Sequence, residues 1–202
     1  MCHVTSGDKG SYDHDREGVA AVRRDEARRA AENAGAVHKT LNLPDCEVSA
    51  SDPEQRRLVV DLIREVRPDV MITHHFNDYM ADHNEVSKLV FDCSFFASVP
   101  SFETEHSSHS LVPPVFYMET ESGLGFQPTE FVDITEVMER KVSMLEAHQS
   151  QIEWLKHHDD FDLVEKMKTT ARFRGFQCGV EFAEGFVPLT VHPRATTHRI
   201  LP

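Results

Sequence analysis

His74, His75, Asp78, Asp82 and His83 crowd the stretch that follows the apolar run Asp69-Val70-Met71-Ile72-Thr73. Imidazole and carboxylate are donors that a divalent ion such as Zn2+ accepts, so the chemistry suggested is metal chemistry. The apolar run reads as a buried strand, and open α/β sheets gather ligands just beyond the carboxyl ends of their strands. Side chains alternate along a strand, so only one of His74 and His75 should face a cleft there. Each residue also has a plainer use. His83 could cap a helix, Asp82 could be the N-cap carboxylate of the helix that follows, and Asn77 and Asp78 could close an Asx turn.

Other polar residues stand at spacings that matter. Arg23 and Glu26 share a helix face at i, i+3, where an intrahelical ion pair is the simplest expectation. Gly7 and Gly10 lack the full Gly-x-Gly-x-x-Gly spacing and are no dinucleotide fingerprint. His157-His158-Asp159-Asp160 reads as a solvated cap between helices, and His106, His109, His192 and His198 fall in loop or terminal sequence.

The elements that must position these groups alternate between strand and helix, the pattern of βαβ units. Met1–Ser6 reads as a strand, Gly18–Asn33 as a helix closed near Gly35, and Val37–Leu43 as a second strand. Asp52 and Pro53 open a helix whose stripe is Val59, Leu62, Ile63 and Val66, ending before Pro68. A further helix follows His83, with Val86, Leu89, Val90 and Cys93. Residues 100–114 form a loop, Val115–Met118 a strand, Asp133–Ser150 one helix and Phe161–Phe176 the last. No linker divides the chain.

Composition sets limits. The 202 residues are 40% hydrophobic and 27% charged, the balance of a globular domain. A net charge of -13 argues against a nucleic-acid binder, since phosphate recognition needs clustered Lys and Arg. No apolar run reaches the roughly 18 residues that span a bilayer, and the four widely spaced cysteines suggest reduced thiols. A cytoplasmic protein without a membrane span is the expectation, and a homo-oligomer stays open.

These residues together resemble the LmbE-like, or PIG-L, family of zinc-dependent N-deacetylases. The likeness runs in order along nearly the whole chain. It begins at Thr5-Ser6-Gly7-Asp8-Lys9-Gly10-Ser11, then takes in Arg23-x-x-Glu26, Asn77-Asp78 and Asp82-His83. It closes with His148-Gln149-Ser150-Gln151, Arg174-Gly175-Phe176-Gln177-Cys178-Gly179 and Ala183-Glu184. The resemblance implies a Rossmann-like α/β fold, a mostly parallel sheet flanked by helices, in one deacetylase domain over residues 1–202. It implies zinc-dependent removal of the N-acetyl group from an N-acetylglucosamine-containing small molecule. His83 would be a zinc ligand, and Asp82 and His148 catalytic residues. Arg23, Glu26, Asn77, Asp78 and Glu184 would contact the amino-sugar substrate.

The family's first strand ends in His-Pro-Asp-Asp-Glu, which supplies two zinc ligands and the general base, and no such run occurs here. The expectation is an N-terminally incomplete chain, short of a first strand and helix of roughly 30 residues, with weak zinc affinity and self-association through bare edges. Met80 stands where many relatives carry a histidine that stabilises the oxyanion, so either His75, Tyr79 or His148 donates instead or the transition state is less well stabilised. An inactive sugar-binding or scaffold protein of the same fold is the alternative. A hydrolase whose metal set is built from His74, His75, Asp78 and His83 is a third reading.

Overall fold

The computed structural model describes residues 1–194, so His198 lies outside the described residues. The chain folds as two compact units. Unit 1 comprises Met1–Glu47 and Asp133–Ala183, and unit 2 comprises Val48–Val132 with the described residues that follow Ala183.

In unit 1, β1 (Cys2–Thr5) pairs in parallel with β2 (Lys39–Leu43), Cys2 facing Lys39 and His3 facing Thr40. Between them runs α1 (Arg16–Asn33), opened by Asp15, whose carboxylate accepts from the Gly18 amide at 2.8 Å. Its buried face is Val19, Ala20, Ala27, Ala30 and Ala31, with the carboxylate of Glu26 buried among them. The later helices of the unit are α4 (Met138–Glu146), α5 (Gln149–Asp159) and α6 (Leu163–Cys178).

The single helix expected over 133–150 is not formed. A 3-10 turn at Thr135–Val137 leads into α4, and the chain breaks at His148 (φ -88°, ψ 55°) before α5 begins. The break lets the first turn of α5 grip α1. Ser150 donates to Glu26 from its amide at 2.8 Å and from its hydroxyl at 2.6 Å. Two hydrogen bonds to a buried carboxylate outweigh one continuous helical ladder. Further along, a Cβ on Gly175 would lie 2.6 Å from the Glu181 carbonyl oxygen, so only glycine lets the returning chain close against α6.

Unit 2 is built on a four-stranded sheet of order β3-β4-β6-β5, made of β3 (Met71–Thr73), β4 (Val115–Tyr117), β5 (Glu130–Asp133) and β6 (Ala183–Pro188). β3 and β4 are parallel, with Thr73 facing Tyr117, and β4 and β6 antiparallel, with Phe116 facing Pro188. The expected α/β architecture of parallel strands and helices therefore holds, but in two sheets and with an antiparallel member. Apolar patterning does not reveal β5 or β6, the latter containing Gly185 and ending at Pro188.

Two helices complete the unit, α2 (Pro53–Val66) and α3 (Ala81–Phe96). Asp52 caps α2 by accepting from the Glu54 and Gln55 amides at 2.8 and 3.0 Å, and Arg67 in the left-handed region (φ 50°) stops it before Pro68. Val59 and Ile63 are buried as expected, together with Val60. Val66, however, is 53% exposed, and Arg64 is the buried residue of the last turn. Its guanidinium donates to the carbonyls of Ala97 (3.1 Å), Val99 (2.7 Å), Phe102 (2.8 Å) and His106 (3.3 Å) and to Thr104 Oγ1 (2.8 Å). One side chain thus caps the end of α3 and fixes the irregular chain after it. No helix among the described residues is long and apolar enough to cross a membrane.

Candidate functional site

The loop from β3 to α3 turns His74, Asp78 and His83 toward one another, with a ligand atom of each within 4.8 Å of the others. The His74 and His83 rings stack, centroids 3.9 Å apart and planes 11° from parallel. Of the adjacent histidines it is therefore His74 that joins the cluster. His75 turns the other way, buried edge-on against Tyr117 (5.9 Å) and Phe126 (5.4 Å), its Nδ1 accepting from the Asn77 amide at 3.2 Å.

Asp78 is locked in place from four directions. Its Oδ1 accepts from the Met80 amide (3.0 Å), an Asx turn, and its Oδ2 from the Glu121 amide (3.1 Å). Asn84, in the first turns of α3, accepts from the Asp78 amide at 2.7 Å and donates to its carbonyl at 2.8 Å. Burial would raise the Asp78 carboxyl, but the two amides and the neighbouring His83 ring together outweigh it and hold it below the usual carboxylate range. Burial first, and the His83 ring next, push His74 down to about 4, which leaves it as the neutral imidazole a metal accepts.

His83 supplies a test of whether an ion fits. Its Nδ1 comes within 3.3 Å of Asp78 Oδ2, yet it is buried and makes no hydrogen bond, because the distance is short enough and the direction is wrong. A buried ring nitrogen without a partner costs free energy unless something else uses its lone pair. A cation between two imidazoles and a carboxylate would do so, and the donor set suits zinc or a similar divalent ion.

The other residues expected here are placed as follows. Asp82 lies in the first turn of α3, but the N-cap position belongs to Met80, which offers no side-chain cap, so the capping use of Asp82 is not realised. Asn77 and Tyr79 are exposed on the loop, Tyr79 at 76%, and Glu184 is half-buried on β6. Reading the sequence missed Asn84, whose only signal is an amide side chain six residues after Asp78, and gave His74 no preference over His75.

Unit 1 holds a separate group of expected residues. Arg23 and His148 line a cavity of about 140 Å³ with His3, Thr5, His38, Thr40 and Gln151. The Arg23–Glu26 ion pair that helical spacing predicts is absent: Glu26 belongs to Ser150, and Arg23 donates to the Gly10 carbonyl at 2.7 Å. The loop after β1 wraps over this guanidinium. A Cβ on Gly7 would lie 2.3 Å from Arg23 Cδ, and Gly7 has φ +72°. Gly7→Ala should therefore displace Arg23 and cost about 1–3 kcal/mol in urea denaturation. A variant as stable as the parent would show that the close approach does not exist.

His3 Nδ1 and His38 Nε2 are 3.1 Å apart, and the His148 ring is 5.8 Å from that of His3. Burial, then His148 and His38, push His3 from 6.5 down to about 4. The unfolded chain therefore takes up this proton first as pH falls, so stability should decline between about pH 6.5 and 4. His3→Asn should flatten that part of a plot of urea midpoint against pH, and an unchanged slope would rule His3 out as its source.

Parallel strands, helices and a histidine–carboxylate cluster beyond a strand's carboxyl end define an α/β protein with a candidate metal centre. Comparison with known proteins is more specific. The GlcNAc-PI de-N-acetylase (PIG-L) family profile matches residues 1–94. Diacetylchitobiose deacetylase of Thermococcus kodakarensis is 31% identical over 200 residues, 92% of this chain and 70% of that protein. The chain belongs to the PIG-L deacetylase family. Among solved structures, the N,N'-diacetylchitobiose deacetylase of Pyrococcus horikoshii superposes with a TM-score of 0.77 at 24% identity, over 93% of this chain and 71% of that one. GalB, the 4-carboxy-2-hydroxymuconate hydratase of Pseudomonas putida, gives 0.76 at 20% identity over 98% and 85%. One fold thus carries two reactions, and the fold alone does not choose between them.

Proposed function

We propose that this chain is a metal-dependent amide hydrolase that removes the N-acetyl group from an N-acetylglucosamine-containing small molecule, with zinc as its metal. The observation that carries the proposal is the 31% identity to a diacetylchitobiose deacetylase across 92% of the chain. On this reading both units belong to one deacetylase domain, since the likeness spans both.

His74, Asp78 and His83 are the residues that would hold the ion. A zinc ion there supplies Lewis-acid polarisation of the amide carbonyl and a water acidified to a pKa of about 7. Asp82, next to His83 in the first turn of α3, orients the attacking water by accepting its hydrogen bond. Asn77, exposed on the same loop, and Glu184 offer polar contacts to sugar hydroxyls. In unit 1, Arg23 and His148 line the cavity as polar contacts for an amino sugar, and burial holds His148 below the ordinary imidazole range, which favours its neutral form. Glu26 acts indirectly, by holding the Ser150 turn that carries His148.

Acetate release from N,N'-diacetylchitobiose by the full chain tests the proposal. Release is expected with zinc, should stop on chelation and should return when zinc is added back. Binding of the sugar with no release under any metal would favour the sugar-binding alternative.

A further inference from the structure

Tyr12, Trp154, His157 and His158 form an aromatic cluster in unit 1 that neither the metal centre nor the cavity uses. Tyr12 stands on the loop leaving the carboxyl end of β1, where α/β folds present residues to ligands. Its ring is 4.6 Å from Trp154 and tilted by 37°, and it meets His157 edge-on at 5.1 Å. His158 stacks on Trp154 at 4.8 Å and 24°.

The arrangement is open. Tyr12 and His158 are 6.5 Å apart. Rings stacked on opposite faces of an indole, each about 3.5 Å away, would be at least about 7 Å apart. Both therefore lie toward one side of Trp154 and form a shallow aromatic surface, and Tyr12 is 62% exposed upon it. The Tyr12 hydroxyl and the Trp154 indole N–H make no hydrogen bond among the described residues. Tyrosine and tryptophan ordinarily use these groups when they pack. Gly10 keeps the indole N–H open, since a Cβ there would sit 3.4 Å from it and 2.8 Å from Arg23 Nη2.

We propose that Tyr12, Trp154 and His158 form a stacking subsite for one pyranose ring of an amino-sugar oligosaccharide. The axial C–H groups of such a ring present an apolar face that packs on aromatic rings, while its equatorial hydroxyls point outward to the two unused donors. The one three-ligand group found among the described residues, His74, Asp78 and His83, includes none of these side chains. The subsite rests on the amino-sugar reading above.

Trp154 is the only tryptophan in the chain, so intrinsic emission reports on this surface alone. Titrating the metal-free full chain with triacetylchitotriose should give a saturable change in emission. Tyr12→Ala should weaken that binding by about three- to tenfold, and Tyr12→Phe, which keeps the ring, by less than Tyr12→Ala. No change in emission, or equal affinity in Tyr12→Ala and the parent, overturns the subsite. Acetate release, followed separately with zinc present, tells the two ideas apart. An emission change without acetate sinks the deacetylase and leaves the subsite, and acetate without an emission change does the reverse.

Discussion

His83→Gln should lose the metal. Zinc bound to the full chain at saturating free zinc should fall from about one equivalent to near zero, and acetate release should fall by more than about a hundredfold, the upper end for losing merely an outer partner of a ligand. Glutamine keeps the volume and polarity of the site but removes the ring nitrogen whose lone pair has no other use. Asp78→Asn should also lose metal. It will be less stable as well, because an amide nitrogen must then face one of the two backbone N–H groups that now donate to the carboxylate. His75→Gln is the control that separates the sets: its side chain faces Tyr117 and Phe126, so metal stoichiometry should be kept while stability drops. Metal retained in His83→Gln, or lost in His75→Gln with the fold intact, would show that the ligands are other residues.

The second large effect concerns stability alone. Arg64→Leu should destabilise the protein by about 4 kcal/mol, a fall in Tm on the order of 10 °C for a chain of this length. The loss does not come from an ion pair. Five acceptors converge on one buried guanidinium, four of them backbone carbonyls; leucine would strip the Phe102 carbonyl of its donor and leave the Ala97, Val99 and His106 carbonyls with one donor each, the His109 amide, the Phe102 amide and the Thr104 hydroxyl. Arg64→Lys should recover only part of this, since an ammonium cannot match the planar fork that reaches all five. A change of less than about 1 kcal/mol in Arg64→Leu would mean that water or another donor replaces the guanidinium.

The metal loop was legible because residue type and position agreed: donors of one kind directly after an apolar strand. What the sequence left open was phase. Alternation requires one of His74 and His75 to face in, but a three-residue strand cannot say which. The choice is made by Tyr117 and Phe126, far along the chain. Arg23 and Glu26 show the same limit. Helical spacing makes them partners, yet tertiary groups took both, the Gly10 carbonyl and Ser150. Arg64 lies outside the apolar stripe that ends at Val66, because patterning treats every arginine as polar and cannot see carbonyls arriving from another segment. The helix break at His148 was hidden for a related reason, since the apolar positions run on to Leu145 and the competing bonds belong to α1. In each case the sequence carried the local preference, and a partner distant in the chain decided the outcome.

The strand order of unit 2 also bears on the making of the protein. β6, the last strand among the described residues, is an interior member of its sheet, lying between β4 and β5. Until Ala183–Pro188 is synthesised, Val115, Phe116 and Tyr117, all buried in the finished fold, lack their antiparallel neighbour. The nascent chain therefore carries an open apolar edge until β6 is made. Premature termination anywhere before Ala183 yields a sheet that cannot close.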